Sequence, residues 1–129
     1  MNYVITGSGV AGIAAIEAIR SVDQAGSIVM IGDDPHGFYS RPGLAYYLTG
    51  ELNDKALFPR TVDELRKLKF QYIKRHVTRI DRDQHLLELT GIQAPLEYDR
   101  LLIAVGAQAL PLEVPGTNLE GILKLDHME

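Results

Sequence analysis

The 129-residue sequence predicts an α/β domain built on a parallel sheet. Three observations carry that reading. Within the first 31 residues, a short apolar run, a glycine-rich turn, an apolar-striped segment and a second apolar run follow one another. A third apolar run, Leu101-Leu102-Ile103-Ala104-Val105, lies far downstream and is closed by Gly106. Between them, β-forming residues cluster from about residue 70 to residue 90.

Each element follows from local pattern. Tyr3-Val4-Ile5 suits a strand near 2–6 that is buried on both faces of a parallel sheet. It breaks at Gly7-Ser8-Gly9-Val10-Ala11-Gly12. Ile13, Ile16, Ile19 and Val22 then recur three apart, with Ala11, Ala14, Ala15 and Ala18 among them, which marks a helix with one apolar stripe. Gly26 punctuates the following turn, and Ile28-Val29-Met30-Ile31 reads as the second strand. Strand, helix and strand in this order make a right-handed βαβ unit. Residues 32–60 are loop-rich and hold Pro35, Pro42 and Pro59, half of the six prolines. Long segments of this kind tend to carry function. A short helix over residues 43–48, ended by Gly50, interrupts them. Thr61-Val62-Asp63-Glu64 has capping-box spacing and opens a helix running to about Lys69. The runs 70–74, 77–82 and 85–90 follow, with a turn at Asp83-Gln84 and a longer one at 90–95. They predict a β-meander that crosses over to the third strand at 101–105.

Composition narrows the function classes. Thirteen basic against seventeen acidic side chains give a net charge of −4, the wrong sign for a nucleic-acid-binding surface. The absence of cysteine excludes disulfide frameworks, thiol nucleophiles and cysteine-based zinc sites within this sequence. His36, His76, His85 and His127 have no metal-ligand spacing, so no metal site is expected. No apolar run reaches the ~18 residues that span a membrane. Met1-Asn2-Tyr3 lacks a basic region ahead of the first apolar stretch, so a cytoplasmic location is expected.

The chemistry concentrates in the glycine turn. Gly7, Gly9 and Gly12 fit G-x-G-x-x-G, a weak pattern alone but a specific one between a buried strand and a helix. The first glycine makes the tight turn, the second lets backbone approach a pyrophosphate, and the third lets the helix lie close on the sheet. The amides of Val10 and Ala11 then face the phosphates with the helix dipole behind them. Asp33 and Asp34 end the second strand about twenty residues on, where an acid accepts from ribose hydroxyls. This fingerprint identifies a dinucleotide without saying which.

Further segments join it: Phe38-Tyr39-Ser40-Arg41-Pro42-Gly43-Leu44, then 98–107, then Pro111 and Val114-Pro115-Gly116. Together, in this order and over nearly the whole chain, they resemble the FAD domain of the flavin-dependent pyridine-nucleotide oxidoreductases. The resemblance is greatest to the branch holding rubredoxin reductases, ferredoxin reductases and the flavoprotein part of nitrite reductases. It implies a Rossmann-like, three-layer FAD-binding fold with the β-meander as crossover, truncated, with residues 1–129 as its N-terminal part. The cofactor-binding set it implies begins with Gly7, Ser8, Gly9, Val10, Ala11 and Gly12 at the pyrophosphate. Asp34, with Asp33, matches the acid at the AMP ribose. Arg41 and Pro42 match the basic segment on the flavin side, and Val77 matches a residue whose backbone reaches the adenine. Ala104, Val105 and Gly106 match the family's Ala-Thr-Gly turn, with valine in place of the threonine.

The implied activity is NAD(P)H-dependent electron transfer through FAD to an iron-sulfur or similar carrier protein. Disulfide-reducing relatives carry a cysteine near where Pro42 and Gly43 fall, and this sequence has none. The family's nicotinamide domain and its later segment closing the flavin site are not matched, so the fragment is expected to be inactive alone and to self-associate. The rival readings are a non-catalytic nucleotide-binding fragment and a small NAD(P)-binding oxidoreductase. The Arg41-Pro42 segment and the β-meander speak against the second.

Overall fold

The computed structural model describes residues 1–128, so Glu129, the last residue of the expected domain, lies outside the described residues. The chain forms β1 (Asn2–Thr6), α1 (Val10–Val22), β2 (Ser27–Gly32), a 3-10 turn at Arg41–Gly43, α2 (Leu44–Leu48), α3 (Asp54–Leu57) and α4 (Val62–Lys67). Five strands follow: β3 (Gln71–Lys74), β4 (Val77–Asp81), β5 (Leu86–Leu89), β6 (Ile92–Glu97) and β7 (Arg100–Ile103). No helix among the described residues is long and apolar enough to cross a membrane.

The expected α/β, Rossmann-like architecture is present. A four-stranded parallel sheet of order β3-β2-β1-β7 lies between α1 on one face and the antiparallel sheet β4-β5-β6 on the other. The period of two in β1 and β2 supplies both faces. Ile5, Ile28 and Met30 pack on Ile13 and Ile16 of α1. Val4, Val29 and Ile31, the alternate residues, pack on Leu87 and Leu89 of the antiparallel layer and on Tyr98 just past its last strand. Both faces are sealed: Ile5, Ile16 and Leu87 are at most 1% exposed. Each such side chain contributes about 1.5–3 kcal/mol by leaving water. A smaller cluster of Tyr39, Leu44 and Leu57 anchors the loop-rich segment.

Local signals hold at the helix ends. Thr61 Oγ1 accepts from the Glu64 amide at 3.2 Å, and a Glu64 carboxylate oxygen takes the Thr61 amide at 2.7 Å, which completes the capping box. Arg20 fastens α4 to α1. Its guanidinium donates to the carbonyls of Leu68 and Lys69, each at 2.7 Å, and of Gly26 at 2.8 Å.

The expected meander is corrected in two ways. The run 71–74 is not its first strand but the fourth strand of the parallel sheet, pairing Val29 with Gln71 and Ile31 with Ile73. The stretch 90–95, expected to be a long turn, holds β6, so the meander runs from Val77 to Glu97. Pro95 fits there because β6 is an edge, where a missing N–H need not break a ladder bond. A register shift between Val77 and Arg79 explains the imperfect alternation of β4, since Val77 and Ile80 both turn inward across it. The short α3, capped by Asn53, has no counterpart among the expected elements. The third strand ends at Ile103, leaving Ala104 and Val105 in the turn beyond it.

Candidate functional site

The site lies outside the carboxyl ends of β1, β2 and β7. The strand order reverses between β1 and β7, which is the switch point where open α/β sheets bind ligands. The loops leaving these two strands are the glycine turn and the segment from Ala104 to Gly106.

The three glycines divide their work. Gly7 adopts φ +108°, its amide donates to the Ile31 carbonyl at 2.7 Å, and a side chain there would collide with the Ala104 backbone. At Gly12 a side chain would strike the Gly7 carbonyl oxygen, so this glycine seats α1 against the turn. Gly9 differs, because a Cβ there meets nothing within 4 Å. Packing within the chain does not demand a glycine at that position. Gly9 is also the N-cap of α1, with no side-chain capping bond and no acid in the first turn. Val10 is 74% exposed and Ala11 is exposed. The start of α1 thus presents uncapped amides and the positive end of its dipole, the arrangement that holds a pyrophosphate. Ser8 is buried below the turn, with its hydroxyl against Gly32.

Two clefts flank this turn. One is lined by Thr6, Gly7, Ile31, Gly32, Asp33, Arg75, His76, Val77 and Val105. The other, a cavity of about 420 Å³, is walled by Gly9, Val10, Ala11, residues 38–42, Pro59, Ala104, Gly106 and Ala107. That is within the usual size range of small-ligand sites. The structure therefore brings together Gly7, Asp33, Val77 and Val105 on one side. It gathers Gly9, Val10, Ala11, Arg41, Pro42, Ala104 and Gly106 on the other.

The adjacent acids part company. Asp34's side chain is 3% exposed, and its Oδ2 lies 3.2 Å from Arg41 Nη2. Its Oδ1 accepts the His36 amide at 2.9 Å. Burial on its own would raise this carboxyl; the His36 amide and the Arg41 and Tyr39 side chains outweigh burial and hold it below the ordinary aspartate value. Asp33, in contrast, is 62% exposed at its side chain, lines the first cleft, and stands 3.4 Å from His76 Nδ1. Asp34, expected at the ribose together with Asp33, is thus the enclosed one of the pair, with one partner at each carboxylate oxygen, and Asp33 is the one that lines the cleft beside the glycine turn. Spacing from the glycine turn cannot separate neighbours one residue apart; burial does.

Arg75, His76, Thr6, Tyr39, Pro59 and Ala107 also line the clefts, and none of them belongs to the expected cofactor-binding set. The signal for Arg75 and His76 is the strand before them. Once 71–74 joins the parallel sheet, its carboxyl end falls on the same edge as the glycine turn.

Fold and site together define a dinucleotide-binding α/β domain with its cleft at the switch point of a parallel sheet. The profile of the pyridine nucleotide-disulphide oxidoreductases matches residues 1–129, and the chain belongs to that family. Rhodocoxin reductase of Rhodococcus erythropolis is 38% identical over 95% of this chain and 29% of its own length. The nitrite reductase [NAD(P)H] of Bacillus subtilis is 30% identical over 94% of this chain and 15% of its own. The crystal structure of a ferredoxin reductase from Rhodopseudomonas palustris superimposes with a TM-score of 0.81 at 30% identity, covering 98% of this chain and 32% of that one. The chain thus spans less than a third of the length of these relatives. The family and its ferredoxin reductases are FAD-binding flavoproteins.

Proposed function

We propose that this chain is the N-terminal, FAD-holding part of an NAD(P)H-dependent oxidoreductase that passes electrons to an iron-sulfur or similar carrier. The observation that carries this reading is the convergence of both clefts on one glycine turn. A molecule with a pyrophosphate at its centre lays one half in each. The amides of Val10 and Ala11 take the pyrophosphate, Asp33 accepts from the ribose hydroxyls, and the Val77 backbone borders the adenine. Arg41, Pro42, Ala104 and Gly106 border the flavin half. FAD, when bound, supplies the redox chemistry, and the protein supplies position and electrostatics. With no cysteine in this sequence, no thiol of residues 1–129 intervenes between flavin and acceptor.

The relatives' names point to the same kind of partner: one solved neighbour is a covalent complex of putidaredoxin reductase with putidaredoxin. Nicotinamide binding belongs, on this reading, to a domain outside residues 1–129. The chain by itself is expected to bind FAD weakly and to oxidise no NADH.

Titration of the purified chain with FAD, followed by flavin fluorescence and by competition with ADP, tests the assignment. Saturable uptake of both is expected, because both carry the adenosine and phosphate half. Asp33→Ala weakens both by about 1–3 kcal/mol, the cost of losing a hydrogen bond to a charged group. Failure of ADP to compete would sink the proposal.

A further inference from the structure

Resting on that cofactor reading, we propose that Asp34 is a positioning residue for Arg41, fixing the guanidinium at the wall of the flavin-side cleft and touching no cofactor itself. The carboxylate is the anchored partner. Its side chain is 3% exposed against 36% for Arg41, and it is tied at both oxygens, to the His36 amide at 2.9 Å and to Arg41 at 3.2 Å. The backbone leaving β2 thus clamps Asp34, and Asp34 in turn holds a side chain seven residues further on, at the first position of the 3-10 turn that also carries Pro42.

Tyr39 completes the cradle. Arg41 Cζ lies 6.0 Å from the centroid of the buried Tyr39 ring, within cation-π range, and His36 stands edge-on to that ring at 6.4 Å. The bond to Asp34 engages one Nη2 hydrogen, which leaves most of the five guanidinium donors for a ligand. Arginine is a long, rotamer-rich side chain. Holding it in place during folding removes an ordering cost that binding would otherwise bear. Asp34 is buried and lies outside the lining of the cleft assigned to the adenosine half, whereas Asp33 lines that cleft.

The test separates the two halves of the ligand. The purified chain and its Asp34→Asn, Arg41→Ala and double variants are titrated with FAD and with ADP. Arg41→Ala and Asp34→Asn should each weaken FAD by about tenfold, the scale of one charge-assisted hydrogen bond, and leave ADP within about twofold. The double variant should be no weaker than Arg41→Ala, because the aspartate acts only through the arginine. A merely structural role would lower both ligands together. Equal loss of FAD and ADP in Asp34→Asn, or multiplied losses in the double variant, would overturn the proposal.

A ligand-free measurement decides the case in which the wild-type chain takes up neither molecule, an outcome that removes the cofactor reading alone. Arg41→Ala leaves Asp34 in place, so its carboxyl carbon, followed by NMR against pH, should then titrate higher than in the wild type. An unmoved titration would show that the two residues are not coupled.

Discussion

Gly7 and Ala104 lie back to back, so close that no side chain at position 7 fits against the Ala104 backbone. One glycine thereby joins the turn after β1 to the turn after β7, and with them the two walls of the switch point. The same turn holds Gly9, whose φ of −80° suits any residue and where an added Cβ would meet nothing within 4 Å.

The two glycines should therefore fail differently. Gly7→Ala combines a collision with backbone and a φ of +108°, and is expected to cost at least about 2–3 kcal/mol of folding stability. Gly9→Ala should change stability by less than about 1 kcal/mol, as expected for an N-cap exchange. Its affinity for FAD and ADP should fall by about tenfold, because the new methyl occupies the pyrophosphate approach. Urea unfolding and ligand titration of both variants distinguish these outcomes. A stable Gly7→Ala protein would show that the contact with Ala104 does not constrain the turn.

The antiparallel layer is fixed to the parallel sheet through Leu87, which is fully buried beneath Val4, Val29 and Ile31. Leu87→Ala is expected to cost about 2–5 kcal/mol, the range for an aliphatic core side chain. Loss of only a few tenths in urea unfolding would mean that the meander docks loosely.

How much of this is legible in the sequence depends on whether an element is specified locally. The β1-α1-β2 unit is readable because Ile13, Ile16 and Ile19 keep a helical period between two apolar runs, and the capping box at Thr61 is readable from two residues. β3 is not. Gln71, Tyr72 and Lys74 are exposed and only Ile73 faces the core partly, so pattern alone places this run with its antiparallel neighbours. Pairing with β2, nearly forty positions upstream, decides its sheet. Pro95 and Gly91 disguise β6 as a turn, since edge tolerance is a property of the assembled sheet. At the site, the glycine turn, Arg41 and Ala104 are legible from motif and order. The division between Asp33 and Asp34 is not, because it arises from which carboxylate the loop to Arg41 encloses.

Asp34 should make stability acid-sensitive. Burial raises its carboxyl, and the His36 amide, Arg41 and Tyr39 outweigh burial, so its folded pKa is depressed. A depressed carboxyl contributes stability that is complete above the unfolded value of about 3.9 and is lost as pH falls through the folded one. The urea midpoint of the wild-type chain should therefore drop from pH 7 into the acid range more than that of Asp34→Asn. Asp23 and Glu64, also held low by backbone amides, leave a residual acid dependence in the variant. Equal drops in the two proteins would show that Asp34 is not held as the geometry indicates.

The last prediction concerns the far side of the switch point. Among the described residues β7 is an edge of the parallel sheet, with β1 on one side. Leu102 and Ile103 on this strand are 40% and 59% exposed, and Leu110 and Leu112 beyond it are 89% and 66% exposed. An unpaired strand edge carrying apolar side chains is a template for another chain, and contiguous apolar surface strengthens the attraction. A second copy of residues 1–129 offers the same edge, so the purified chain should self-associate in a concentration-dependent way. Leu102→Lys places a charge on that edge without entering either cleft, since Leu102 lines neither of the two that flank the glycine turn, whereas Ile103 stands beside Thr6, Val77 and Val105. Sedimentation velocity across a dilution series should show the wild type moving from larger species to monomer, with the variant monomeric at every concentration. FAD titration of the same variant should match the wild type, because the contacts assigned to the cofactor come from other residues. A wild-type chain that stays monomeric throughout would mean that the exposed strand is protected by its twist or by the segment that follows it, and the edge would then have no part in association.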